Sequence, residues 1–145
     1  MCARQFGTGA LMAKQEKESK GVEVLWKSMP QEHDYPAARS YLTLLADADE
    51  ADRVITAMHE VNELERFKAK DILRAARLPL LTEDNPHVLS DLKKIRSGEE
   101  ISPILLLRGD LHGVRPLQIA DGYHRVCACY HNDENTDIPC VLVDL

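Results

Sequence analysis

Apolar residues along this chain come in short runs, each stopped by a charged or turn-forming stretch. In EHDYPAARSYLTLLADADEADRVITAMHEVNEL, residues 32–64, the Ala, Leu and Glu content favours helix and predicts two, over about 36–46 and 49–62. Asp47 and Asp49 supply the break, because a short acidic side chain caps a following helix by accepting its free backbone N–H groups. Ahead of them, Val22 to Trp26 is a short apolar stretch leading to Met29-Pro30. Behind them, FKAKDILRAARLPLL reads as a short strand or extended entry followed by one or two helical turns ending before Pro79. Residues 22–81 are thus expected to form a mostly helical N-terminal part.

The pattern changes in residues 82–145. Asn85 as N-cap, Pro86 at the first helical position and Gly98 as terminator define a helix with a complete set of start and stop signals. Pro103 then opens ILLLR, a β-rich run. Gly109 to Pro116 forms a loop with its tip near His112-Gly113, and LQIA is a second strand that completes a hairpin. DGYHR begins a helix running to about Asn132, and IPCVLVDL, rich in Val and Ile, is an interior closing strand. The expected fold class is α+β.

Length and composition narrow the class. At 145 residues and 16.3 kDa the chain has the size of one domain, and 44% hydrophobic with 29% charged residues is ordinary globular composition. No apolar run approaches the roughly 20 residues a bilayer-spanning helix needs. Residues 1–21 lack an apolar secretion core and are too polar to build a packed core. They read as a flexible tail in which Met12 is a second candidate start. Cys2, Cys127, Cys129 and Cys140 suit a reduced, cytoplasmic setting better than a disulfide framework. A net charge of −6 argues against broad nonspecific DNA binding, which needs clustered cations to displace counterions, but not against a small basic pocket.

The candidate chemistry lies in Asp121-Gly122-Tyr123-His124-Arg125. A strand passing directly into a helix leaves unpaired backbone N–H groups aimed at one point, which attracts anions. Gly122 lets a ligand approach the backbone, and His124 with Arg125 adds donors suited to phosphate oxygens. In the plainer account Asp121 caps the helix, and His124 and Arg125 are solvated.

From His87 onward the order of elements resembles the ParB/sulfiredoxin superfamily. Sulfiredoxins carry a helix ending in Thr-Ile-Arg, then Pro-Pro-Ile, an apolar strand, a hairpin loop, a second strand, Gly-Cys-His-Arg at a helix start and a closing strand beginning Ile-Pro. The corresponding pieces are Lys94-Ile95-Arg96, Ser102-Pro103-Ile104, LLLRG, QIA, Gly122-Tyr123-His124-Arg125 and Ile138-Pro139. ParB proteins have Gly-Glu-Arg-Arg at this spot, and free-serine kinases have Asp-Gly-His-His-Arg, closer still to Asp121 to Arg125. The resemblance spans about 60 residues and implies a ParB/sulfiredoxin-like small mixed sheet with helices. It also implies a site for ATP or another nucleotide, with or without Mg²⁺, in which Gly122, Tyr123, His124 and Arg125 hold phosphate and His87, Ser90 and Lys94 add contacts from one face of the preceding helix. That polar stripe is equally what the wet side of a helix looks like.

The departures point the other way. Where sulfiredoxins have their nucleophilic cysteine this chain has Tyr123, and a phenol cannot make that attack on an activated sulfinate. The helix-turn-helix domain that follows in chromosome-segregation ParB proteins has no counterpart here, so sequence-specific DNA reading is not expected. Two functions follow from the resemblance. One is a phosphotransferase acting on a small hydroxyl substrate, with Asp121, Glu83 or Asp84 as the carboxylate that takes the hydroxyl proton or holds Mg²⁺. The other is a non-catalytic, nucleotide-gated module whose helical part meets a protein or DNA.

A metal reading of His124, Cys127, Cys129 and His131 is disfavoured. At 100° per residue three of them lie within about 60° of one another while Cys129 points away, and Cys127 is expected to turn partly into the core. No metal ligands are assigned.

Overall fold

The computed structural model describes residues 21–145; the expected tail before Gly21, with Met12 and Cys2, lies outside the described residues. Five helices and four strands follow one another in the order α1 (Asp34–Leu42), α2 (Ala48–Glu60), β1 (Glu65–Lys68), α3 (Ala69–Ala76), α4 (Pro86–Arg96), β2 (Ile104–Leu107), β3 (Gln118–Asp121), α5 (Tyr123–Asn132) and β4 (Asp137–Val143). The class is α+β, as the sequence predicts.

Local chemistry explains most boundaries. Asn85 Oδ1 accepts from the backbone N–H groups of His87 and Val88 at 3.0 and 3.3 Å, and Gly98 ends α4 with φ +77°. Asp47 caps α2 by accepting from the Glu50 N–H at 2.8 Å. The first helix departs from the expected 36–46. It starts at Asp34 and ends at Leu42, and residues 43–45 close as turns, with Leu44 and Leu45 exposed rather than packed on the helix face.

The strands form one mixed sheet in the order β1-β4-β2-β3. The hairpin pairs β2 with β3 antiparallel, with a register irregularity between Leu105 and Leu106. Interior β4 runs parallel to β2 and antiparallel to β1. Successive side chains of a strand leave opposite faces, so β2 and β4 divide the core in two. Ile104, Leu106, Ile138 and Cys140 pack under α3, α4 and α5 together with Ile72, Leu92 and Val126. Leu105, Leu107, Val141 and Val143 pack with Ala38, Leu42, Val54 and Met58 of α1 and α2. All four residues of β2 are buried, which is why ILLL carries no alternation. Residues 22–81 therefore supply the helical layer α1–α2 over one face, the edge strand β1 and, on the other face, α3, and 82–145 supply α4, α5 and strands β2 to β4.

Candidate functional site

Chain direction at the end of β3 is set by Gly122, which has φ +113° and forms the N-cap of α5. An added Cβ there would lie 2.8 Å from Ile104 Cβ and closer still to Ile104 Cγ2, so both the conformation and the space require glycine. The first intrahelical bond runs from the Val126 N–H to the Gly122 carbonyl at 3.0 Å, and no side chain caps α5 among the described residues. The N–H groups of Tyr123, His124 and Arg125 thus precede the helical ladder. Asp121, the candidate cap, turns elsewhere.

It turns to Arg125, whose placement differs from that of a phosphate donor. Arg125 Nη1 donates to the Ser102 carbonyl and Oγ at 2.7 Å each and to the Pro103 carbonyl at 3.0 Å. Its Nη2 donates to Asp121 Oδ2 at 2.6 Å and stands 3.6 Å from Asp34 Oδ1, and the side chain is only 13% exposed. The guanidinium ties β3, α5, α1 and the strand entry at Ser102 together, with its hydrogens directed inward. Burial is the largest influence on Asp121; with Asp34 nearby and Arg125 opposing, its carboxyl is pushed up to about 6.

Around the open first turn stands a ring of side chains. His124 packs against His87, in the first turn of α4, with ring centroids 4.8 Å apart, and lies 5.8 Å from the Tyr123 ring. The Tyr123 hydroxyl donates to the Pro79 carbonyl at 2.6 Å, which fixes the phenol on the loop after α3. Burial first, then His87, lowers the His124 pKa, while Asp91 works against both, so the ring is neutral at pH 7. Asp91, one turn beyond His87 on α4, is half-buried. Its carboxyl is raised by burial and held back by Arg125, Lys94, His124 and His87. Ser90 and Lys94 are exposed on the same helix.

The structure does not bring Glu83 and Asp84 to this point. Glu83 lies 3.7 Å from His131 Nδ1 in the last turn of α5, and Asp84 accepts from the Thr82 hydroxyl. These carboxylates stand by the far end of α5 from Asp121. His131 Nε2 is 2.6 Å from the Leu81 carbonyl, so that nitrogen carries the proton. Spacing along the sequence misses Asp34, Ser102 and Asp91. Asp91 had a signal, lying four residues after His87 on the same helical face, whereas Asp34 had none.

Cys127, Cys129 and Cys140 are free and buried. Burial pushes all three thiols up, Cys140 to about 12, which suppresses the thiolate that any nucleophile or metal ligand needs. His124 and His131, seven residues apart on α5, turn to His87 and Leu81, and among the described residues no three His, Cys, Asp or Glu side chains gather as a metal set. In a Cys2→Ser variant, a thiol reagent at pH 8 should therefore label these cysteines at least about tenfold more slowly than in denaturant. Equal rates would mean that the thiols are open to solvent.

No protein-family model matches this chain, and neither a curated protein nor a solved structure matches it. Among the described residues no helix is long and apolar enough to cross a membrane.

Proposed function

We propose that the first turn of α5 binds the phosphate of a nucleotide or of another phosphorylated small molecule, in a cytoplasmic domain of the ParB/sulfiredoxin kind. The observation that carries this reading is the difference between helix starts. α2 and α4 are closed by the side chains of Asp47 and Asn85. α1 and α3 lack a side-chain cap, but the first two N–H groups of α3 donate to the Thr136 and Glu134 carbonyls and the Asp34 N–H of α1 to the Gln31 carbonyl. α5, by contrast, begins on a glycine with no side-chain cap and faces His87 across the His124 ring. Open N–H groups and the positive end of the helix dipole favour an anion there. His124 and His87 supply imidazole contacts, Lys94 supplies a mobile cation, and Tyr123 forms a wall.

The test is titration with ATP, ADP, CTP and GTP, with and without Mg²⁺, read by melting temperature and calorimetry. His124→Gln and Lys94→Gln are the diagnostic variants, because neither residue holds the fold together as Arg125 does. Protonation of His124 adds positive charge, and its depressed pKa confines this to pH below about 6.5. The affinity ratio of wild type to His124→Gln should rise by about threefold or more between pH 7.5 and 5.5, a comparison from which the ligand's own protonation cancels. Absence of binding by all four nucleotides and by inorganic phosphate would reject the site.

A second reading, phosphotransfer to a small hydroxyl, is favoured by one observation: the half-buried Asp91 carboxyl stands among His87, His124 and Lys94. In that reading Asp91 takes the hydroxyl proton or holds Mg²⁺, in place of Glu83 and Asp84, while Asp121 remains engaged with Arg125. Asp91→Asn should then keep affinity for the metal-free nucleotide and lose turnover. If wild type shows no turnover with serine or other small alcohols, the site serves a nucleotide-gated module that meets a partner protein through its helical half.

A further inference from the structure

A second cleft, of about 680 Å³, opens over the sheet face that carries Leu106 and Leu142. None of its lining residues belongs to α5. It borders the far part of the β2–β3 hairpin, where Leu107 pairs with Gln118, whereas α5 starts beyond Asp121, which pairs with Leu105. Phe67, Ile72, Leu106, Leu117 and Leu142 give it an apolar lining, and Leu111, 96% exposed on the hairpin loop, extends that surface outward.

Four arginines, Arg74, Arg77, Arg108 and Arg115, stand against two acids, Asp71 and Asp110, in a chain whose net charge is −6. Arg74 pairs with Asp71 at 3.2 Å and Arg108 with Asp144 at 2.6 Å. Arg77 and Arg115 have no acidic partner within salt-bridge distance among the described residues. Asp110 Oδ1 accepts from the His112 N–H at 2.9 Å and so belongs to its own turn. The charge reversal is local, and it is carried by guanidinium, whose planar fork of donors matches a carboxylate or phosphate.

We infer that this cleft is a binding site for a small amphipathic anion, with its apolar body on Leu106, Leu117 and Leu142 and its carboxylate or phosphate held by Arg77 and Arg115. The volume lies in the roughly 300–1,000 Å³ range of small-molecule pockets. This site is independent of phosphate binding at α5.

The test uses three probes with one apolar body and different charge: 2-naphthoate, 2-naphthylmethanol and protonated 2-naphthylmethylamine, each titrated into the full chain and followed by methyl NMR. Naphthoate should bind at least about tenfold more tightly than the alcohol, and the amine most weakly, with shifts centred on the methyls of Leu106, Leu111, Leu117 and Leu142. Arg77→Gln/Arg115→Gln should reduce naphthoate to the level of the alcohol. The single exposed variant Arg115→Gln should already lose part of the preference, which keeps the test decisive if the double variant folds poorly. Saturating ATP should leave naphthoate affinity unchanged. Equal affinity for naphthoate and alcohol, an undiminished preference in the variants, or shifts centred on Tyr123 and His124 would each overturn the inference.

Discussion

Replacing Arg125 with Ala should destabilise the protein by about 3–5 kcal/mol, a large share of the roughly 5–15 kcal/mol that holds an ordinary domain folded at 25 °C. The side chain lies between two carboxylates, Asp121 at 2.6 Å and Asp34 at 3.6 Å, and also satisfies the Ser102 and Pro103 carbonyls. Truncation leaves buried negative charge uncompensated, and this costs far more than the ion pair contributes over an apolar equivalent. Urea denaturation of wild type and variant measures the difference, and a loss below about 1 kcal/mol would mean that the cluster is looser than its contact distances indicate. The deficit should also depend on pH. Asp121 is already raised to about 6 in the fold, and without Arg125 it rises further. A carboxyl raised above its unfolded value of about 3.9 takes up its proton first in the folded state, so its contribution is present at low pH and lost as pH rises through the folded value. The variant should therefore recover stability, relative to wild type, as pH is lowered from 8 to 5. A deficit that does not change over that interval would point to lost packing rather than stranded charge.

Gly122→Ala should cost about 2–6 kcal/mol, from two sources. A non-glycine residue at φ +113° is strained by about 1–3 kcal/mol, and the new methyl meets the β-branched Ile104 on a fully buried strand, adding a cost of overpacking on the order of 1–3 kcal/mol. Gly113→Ala separates the two. Its φ is +98°, but nothing lies within 4 Å of the new Cβ, so it carries strain alone. If the two variants lose the same stability, the close approach of α5 to Ile104 is not the constraint proposed here.

Elements with their own chemical punctuation were legible in the sequence. Asn85, Pro86 and Gly98 bound α4, and a turn around Gly113 lies between two apolar runs that do pair as a hairpin. Strand β1 was legible only in part: the start of FKAKDILRAARLPLL reads as a short strand or extended entry, but three of the four strand residues are exposed, because β1 is an edge whose membership is decided by pairing with β4 and not by burial of its own side chains. The site was half legible. Gly122, Tyr123 and His124 stand where a strand-to-helix turn should put them. The inward turn of Arg125 could not be foreseen, since Asp34 lies 91 positions away and charged residues near a helix start ordinarily face water. Asp91 lies on the same helix face as His87 and Lys94, but the carboxylates that sequence proximity to the site offers are Asp121, Glu83 and Asp84, and only the packing of α4 against α5 brings Asp91 near His124. The second cleft is assembled from α3, the hairpin loop and the strands, so its arginines fall in two groups, Arg74 with Arg77 and Arg108 with Arg115, that the stretch 78–107 separates in sequence.

The position of β4 has a kinetic side. Last of the four strands in the chain, it lies between β1 and β2, so β1 has no strand partner and the β2–β3 hairpin has an open apolar edge until β4 inserts. Closing a sheet through its latest strand makes contacts of large sequence separation compulsory for the first stable structure, and such topologies fold slowly and all at once. A chain still on the ribosome, with residues 137–143 not yet emerged, exposes the edge of ILLL, an obvious point for a chaperone to engage or for aggregation to begin.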